Sequence, residues 1–132
     1  MDAIKEGMLA SAKAAEAAVR LGERLLGQNT PKESEKTLEA RLVREIEARG
    51  GMALKYTSQF HRGIPDRICL LPGGLSVFVE LKSTGQKPTK LQGHAMKRLN
   101  EMGHPTTVVD STEKLEWLLQ ILDEGIATFA KN

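Results

Sequence analysis

Pro72-Gly73-Gly74 lies between two short runs rich in branched and apolar residues, Asp66 to Leu71 before it and Ser76 to Lys82 after it. Proline presets the backbone for entry into a turn, and glycine accepts the positive φ that tight turns need. The pattern predicts a β-hairpin, and a hairpin fixes which residues stand opposite one another. A chain with this feature near its middle builds its fold around that antiparallel pair.

The rest of the chain arranges itself around the hairpin. A helix is predicted from near Ser34, with Leu38, Leu42, Val43 and Ile46 as its apolar stripe and Gly50-Gly51 as its stop. Residues 52–57 alternate enough to read as a strand, and Ser58 to Gly63 form a polar loop. After the hairpin a loop from Ser83 to Pro88 leads into a helix over about 89–102, with Leu91, Ala95, Met96 and Leu99 inward. Thr106 to Val109 make a short strand. Ser111 caps a last helix over about 112–125, with Leu115, Leu118, Leu119 and Leu122 on its buried side. The order from Ser34 is α-β-β-β-α-β-α. Short links favour antiparallel neighbours among the first three strands, and the intervening helix favours a parallel crossover to the fourth. The expected class is α/β, a small mixed sheet with helices on both faces.

Ahead of this unit, residues 3–26 are Ala-rich, with Ile4, Met8, Leu9, Ala12, Ala15, Val19 and Leu26 at helical spacing, and Gln28 to Pro31 read as a linker. The expected organisation is an N-terminal helical extension over 1–30, suited to self-association, and a single domain over 31–132. The whole chain has 132 residues, 40% of them apolar and 27% charged, which is a globular balance. One cysteine, Cys69, excludes an internal disulfide and a multi-cysteine zinc site, and makes a reducing cytoplasm the default compartment. No apolar run approaches the roughly 20 residues of a membrane span, and the N-terminus has no continuous apolar core of a secretory signal. Residues 34–110 hold twelve basic and eight acidic side chains, a net +4 that suits a polyanionic partner.

Three charged residues converge once the strands are set. Glu80 and Lys82 are two apart on one strand and share a face, while Leu81 points the other way. The hairpin brings Asp66 back beside Glu80. The charges end the apolar run Val77-Phe78-Val79, and buried charges need partners. Close carboxylates repel, and a divalent cation relieves that repulsion. Carboxylate oxygens suit Mg²⁺ and Mn²⁺. Such an ion polarises a phosphodiester, and Lys82 is placed to orient the attacking water or meet the developing charge. A surface salt bridge is the competing explanation for the Glu-x-Lys pair, but the upstream Pro65-Asp66 argues against it.

Pro65-Asp66 followed by Glu80-Leu81-Lys82 resembles the signature of the PD-(D/E)XK nuclease superfamily. Gly63-Ile64-Pro65-Asp66-Arg67-Ile68, Leu71-Pro72-Gly73-Gly74, Phe78-Val79-Glu80-Leu81-Lys82, Gly85-Gln86-Lys87-Pro88 and Leu91-Gln92 resemble its VRR-NUC branch over about residues 34–122. The resemblance implies a restriction-endonuclease-like αβββαβ core. By it, Asp66, Glu80 and the Leu81 carbonyl bind Mg²⁺ or Mn²⁺, Lys82 is the catalytic lysine, and Gln92 lies at the site. It also calls for a glutamate on the first core helix, which Glu39 fits best, with Glu35 and Glu45 as alternatives. It implies phosphodiester hydrolysis leaving 5′-phosphate ends. As in compact phage or bacterial members, the expected substrate is branched DNA, particularly four-way (Holliday) junctions, cut by a homodimer with two symmetric active sites. A flap, nicking or general duplex nuclease, or an inactive DNA-binding module, is the alternative.

Lys55, Arg62, Arg67, Lys87 and Lys90 flank the expected cleft and are candidates for phosphate contacts, although a structural ion pair is as good an explanation for Arg67. His61 in the polar loop is a lesser candidate for a general base. His94 and His104 read as structural, Cys69 as buried and inert, and Trp117 as core or interface.

Overall fold

A computed structural model describes residues 32–56 and 62–130. The expected N-terminal helix and most of the polar loop, His61 included, lie outside the described residues. The first helix, α1, spans Glu35–Ala48. Ser34 caps it, its Oγ accepting the Thr37 N–H at 3.1 Å. Leu38, Leu42 and Ile46, one turn apart, are its buried residues, and Val43 is half-buried beside them. Gly50 turns the chain at φ 78°, and Gly51 passes so close to β2 that a Cβ on it would lie 2.5 Å from the Leu70 carbonyl oxygen.

Strands β1 (Met52–Lys55), β2 (Arg67–Leu71), β3 (Leu75–Leu81) and β4 (Thr106–Val109) form one sheet in the order β1-β2-β3-β4. β1–β2 and β2–β3 are antiparallel, and β3–β4 is parallel, as the connections predict. Pro72–Gly74 form a single 3₁₀ turn between β2 and β3, with Gly73 at φ 86°. Helix α2 (Lys90–Glu101) makes the crossover, and α3 (Thr112–Ala130) closes the domain.

One face of the sheet carries the main core. Cys69, Leu71, Val77, Val79 and Leu81 pack there against Leu38, Leu42 and Ile46 of α1 and Leu115, Leu118, Leu119 and Leu122 of α3. Arg49 ties the two helices at their ends, reaching Asp123 at 2.6 Å and Glu45 at 3.0 Å. Helix α2 lies over the other face, near β3 and β4, burying Met96 and Leu99.

Several details differ from expectation, beyond shifts of a residue or two at the other strand and helix ends. β2 begins at Arg67 rather than Asp66. Leu91 is 50% exposed instead of inward: it stands in the first turn of α2, and its carbonyl is what Gly63 packs against. Helix α3 runs past Gly125 to Ala130 because its far end is held by the hairpin. A Cβ on Gly125 would lie 2.9 Å from Leu75, and one on Gly73 would lie 2.5 Å from the Phe129 ring.

Candidate active site

The register of β2 and β3 pairs Arg67 with Val79, so Asp66 stands one step further on, opposite Glu80. The ladder cannot continue unchanged, because Pro65 has no N–H. The Leu81 N–H, which faces β2, is instead accepted by Asp66 Oδ2 at 3.3 Å. The proline that ends the ladder thus turns the aspartate side chain inward, beside the glutamate.

Glu80 is 1% exposed, an extreme value for a carboxylate. Gln92 Nε2 donates to its Oε1 at 3.2 Å, while Oε2 is buried without a hydrogen-bond partner. Burial pushes the carboxyl pKa up to about 8; the adjacent Asp66 carboxylate adds to the rise and Lys82 opposes it, with Glu35 raising it slightly further. Lys82 is half-buried on the same face, and its backbone N–H continues the ladder to the Val109 carbonyl at 3.1 Å.

Gln92 is fixed at both ends of its amide. It is the third residue of a capping box: its Oε1 accepts the Thr89 N–H at 2.8 Å, and its N–H donates to Thr89 Oγ1 at 3.1 Å. With the oxygen held by the cap, the nitrogen faces Glu80.

Asp66 and Glu80 offer two carboxylates, one Glu80 oxygen being buried without a hydrogen-bond partner, a donor set suited to a hard divalent cation. Among the described residues no group of three or more His, Cys, Asp or Glu side chains forms a metal cage.

The other expected residues divide. Glu39 pairs with Arg67 at 3.4 Å, and Glu45 pairs with Arg49. Glu35, at the start of α1, is the helix acid whose charge acts on Glu80. Arg67 also donates from Nη1 to the Ala53 carbonyl at 2.9 Å. It stands on the α1 side of the sheet, on the opposite face from the acids, and the ion pair is the charged contact it makes there. Lys55, opposite Arg67, shares that face, which removes it from the acid side as well. Arg62, Lys87 and Lys90 are exposed in the segments leading into Pro65-Asp66 and into α2.

His94 and His104 are exposed, His104 lying edge-on to Phe78 with ring centroids 6.3 Å apart. Cys69 is fully buried, its thiol pushed up to about 12 by burial, and Trp117 packs on the core.

One set of positioning residues escapes sequence reasoning. The Glu33 N–H donates to Thr84 Oγ1 at 2.9 Å, the Thr84 N–H returns to the Glu33 carbonyl at 3.0 Å, and Thr84 Oγ1 donates to the Asp110 carbonyl at 2.6 Å. The Glu35 N–H meets Ser83 Oγ at 3.1 Å. This clasp holds the segment immediately after Lys82. Its only sequence signal is a Ser-Thr pair following a strand.

No protein-family model matches the chain. A protein named "Putative nuclease p44", from Acyrthosiphon pisum secondary endosymbiont phage 1, is 43% identical over 79 residues, 60% of this chain and 85% of that protein. A solved structure described as a VRR_NUC domain superposes with a TM-score of 0.62 at 27% identity, covering 67% of this chain and 97% of that one.

Proposed function

Because the chain belongs to the VRR-NUC family of nucleases, we propose that it is a divalent-metal-dependent DNA endonuclease acting on branched DNA, with four-way junctions as its preferred substrate. The observation that carries the metal-dependent reading is the buried, unpartnered Oε2 of Glu80 beside Asp66. A protein without a cation to hold has no use for two facing carboxylates where an anionic strand must approach. Asp66, Glu80 and the Leu81 carbonyl would hold Mg²⁺ or Mn²⁺. When bound, the ion supplies Lewis-acid polarisation of the phosphodiester and a more acidic water.

The remaining work belongs to the chain's own groups. Lys82 presents its ammonium on the acid face, where it orients the attacking water and offsets charge gathering on the phosphate. Gln92 holds Glu80 Oε1, so the carboxylate keeps one orientation through the reaction. Glu35 adds negative charge from α1 and is the better candidate than Glu39 for the helix glutamate of the family. Arg62, Lys87 and Lys90 line the approach and neutralise backbone phosphates. Paired cuts across a junction require two sites, which a homodimer supplies. Among the described residues no helix is long and apolar enough to cross a membrane, and the reading places the enzyme in the cytoplasm of a bacterium or phage-infected cell.

The test is a cleavage panel of four-way junction, flap, nicked, duplex and single-stranded DNA in Mg²⁺, Mn²⁺ or EDTA, with Lys82→Ala as control. The expected result is metal-dependent, symmetric cutting of the junction that the variant lacks. Cutting of flaps or plain duplex at equal rates rejects the junction preference. Cutting in EDTA, or by Lys82→Ala at the wild-type rate, rejects the site assignment.

A further inference from the structure

The sheet register places Tyr56 in line with the acids. β1 pairs Lys55 with Arg67, and one residue on, the Tyr56 N–H donates to the Asp66 carbonyl at 3.2 Å. Tyr56, Asp66 and Glu80 therefore form one row across three adjacent chain segments. The next row is Leu54, Ile68 and Phe78, and the one after is Met52, Leu70 and Ser76. Since side chains alternate between faces, all three rows look out on the acid side of the sheet.

Helix α2 covers only part of that side. Gln92 reaches Glu80 and His104 lies against Phe78, both over β3. The β1–β2 half is left open: Tyr56, Leu54 and Leu70 are each 41% exposed and Met52 is 56% exposed. This open strip adjoins the acid pair and carries no lysine or arginine on its acid-side positions. A duplex laid there would bring its phosphates against apolar side chains and a carboxylate, the wrong surface for a polyanion. Unstacked bases are the DNA groups that suit such a surface, since they stack on aromatic rings and lose apolar area to water.

We infer that this strip receives unpaired bases of the strand being cut, with one base stacked on Tyr56. The inference rests on the nuclease reading and deepens it: selection for branched DNA comes from accommodating bases that a branch point releases, beside the scissile phosphate. Tyr56 acts as a specificity residue and takes no part in the hydrolysis itself.

The test uses the full chain. On a Lys82→Ala background, which leaves DNA uncut, fluorescence anisotropy compares a duplex with the same duplex carrying a short unpaired arm. Tyr56→Ala is expected to weaken binding of the armed DNA about tenfold, from the loss of one stacked base. It should change plain duplex binding less than about twofold, as a surface substitution does. Tyr56→Phe should retain binding. Photocrosslinking of 5-iododeoxyuridine in the unpaired arm should map to Tyr56, the chain's one tyrosine.

Equal loss on both DNAs, no loss on either, or a crosslink mapping elsewhere overturns the inference. If residues 1–31 or a second copy cover the strip instead, Leu54→Ser and Leu70→Ser will alter sedimentation or melting temperature and leave DNA selectivity intact, which also overturns it. Cleavage by the unmodified Lys82 protein is scored separately. Cutting without a Tyr56 effect sinks this inference alone, whereas no cutting of any DNA sinks the nuclease reading beneath it.

Discussion

Replacing Glu80 by glutamine should abolish cleavage and stabilise the protein, the second effect appearing only at neutral to alkaline pH and only without divalent cations. The carboxyl is raised from 4.5 to about 8. At about 1.4 kcal/mol per pKa unit, ionising it in the fold costs at most roughly 5 kcal/mol. The sign follows from proton binding. Between pH 4.5 and about 8 the folded protein holds a proton that the unfolded chain has released, so stability falls as pH rises through that window and levels above it. Glutamine keeps the Gln92 contact through its own oxygen and presents an N–H₂ where Oε2 now lacks a partner. Burying that amide has its own cost of about 1–3 kcal/mol, which leaves a net gain of about 2 kcal/mol at pH 8.5. For a domain of this size that is roughly 6–8 °C in melting temperature. Thermal melts in EDTA at pH 5 and pH 8.5 read it directly. The variant should melt below the wild type at pH 5, by the cost of the buried amide alone, and above it at pH 8.5. Equal differences at the two pH values would refute the claim that a buried carboxylate is held against its own repulsion.

Three further outcomes are expected. Leu42→Ala empties a fully buried position under the sheet and should lose about 2–5 kcal/mol in urea denaturation. Gln92→Ala should lower cleavage and also lose the helix cap, whereas Thr89→Ala removes the cap alone at about 1 kcal/mol; kinetics of the two variants at matched stability isolate the Glu80 contact. Native Cys69 should resist thiol reagents at pH 8 and react only on unfolding, at the rate of global opening.

The hairpin and the acids were legible because they depend on short-range rules. Pro72-Gly73-Gly74 sets a register, and the register alone brings Asp66 to Glu80. Helix ends depended on distant partners and were less legible. Gly125 looks like a stop, yet α3 continues because Phe129 meets Gly73 across the hairpin. Arg67 follows Asp66 in sequence but stands on the other face, where α1 offers Glu39 as its partner. Alternation along a strand already separates those two side chains; only tertiary packing reveals which helix waits on which side. Leu91 fits a helical stripe, but it stands in the first turn of α2 beside Gly63, beyond the part of the helix that packs on the sheet, and is left half exposed. Gln92 could be read as a site residue from resemblance, while its second engagement in the capping box required the geometry.

The clasp at Glu33 and Thr84 has a consequence for how this domain tolerates change at its front. Three main-chain N–H groups and two hydroxyls lock the entrance of α1 onto the exit of β3 and the end of β4. Among the described residues, the segment after Lys82 is thereby tied to the start of α1 through Ser83 and Thr84. A one-residue insertion between Glu33 and Glu35 would shift the whole lock against its partners. The lock lies within three residues of chain and ends at Glu35, the same helix acid whose charge acts on Glu80.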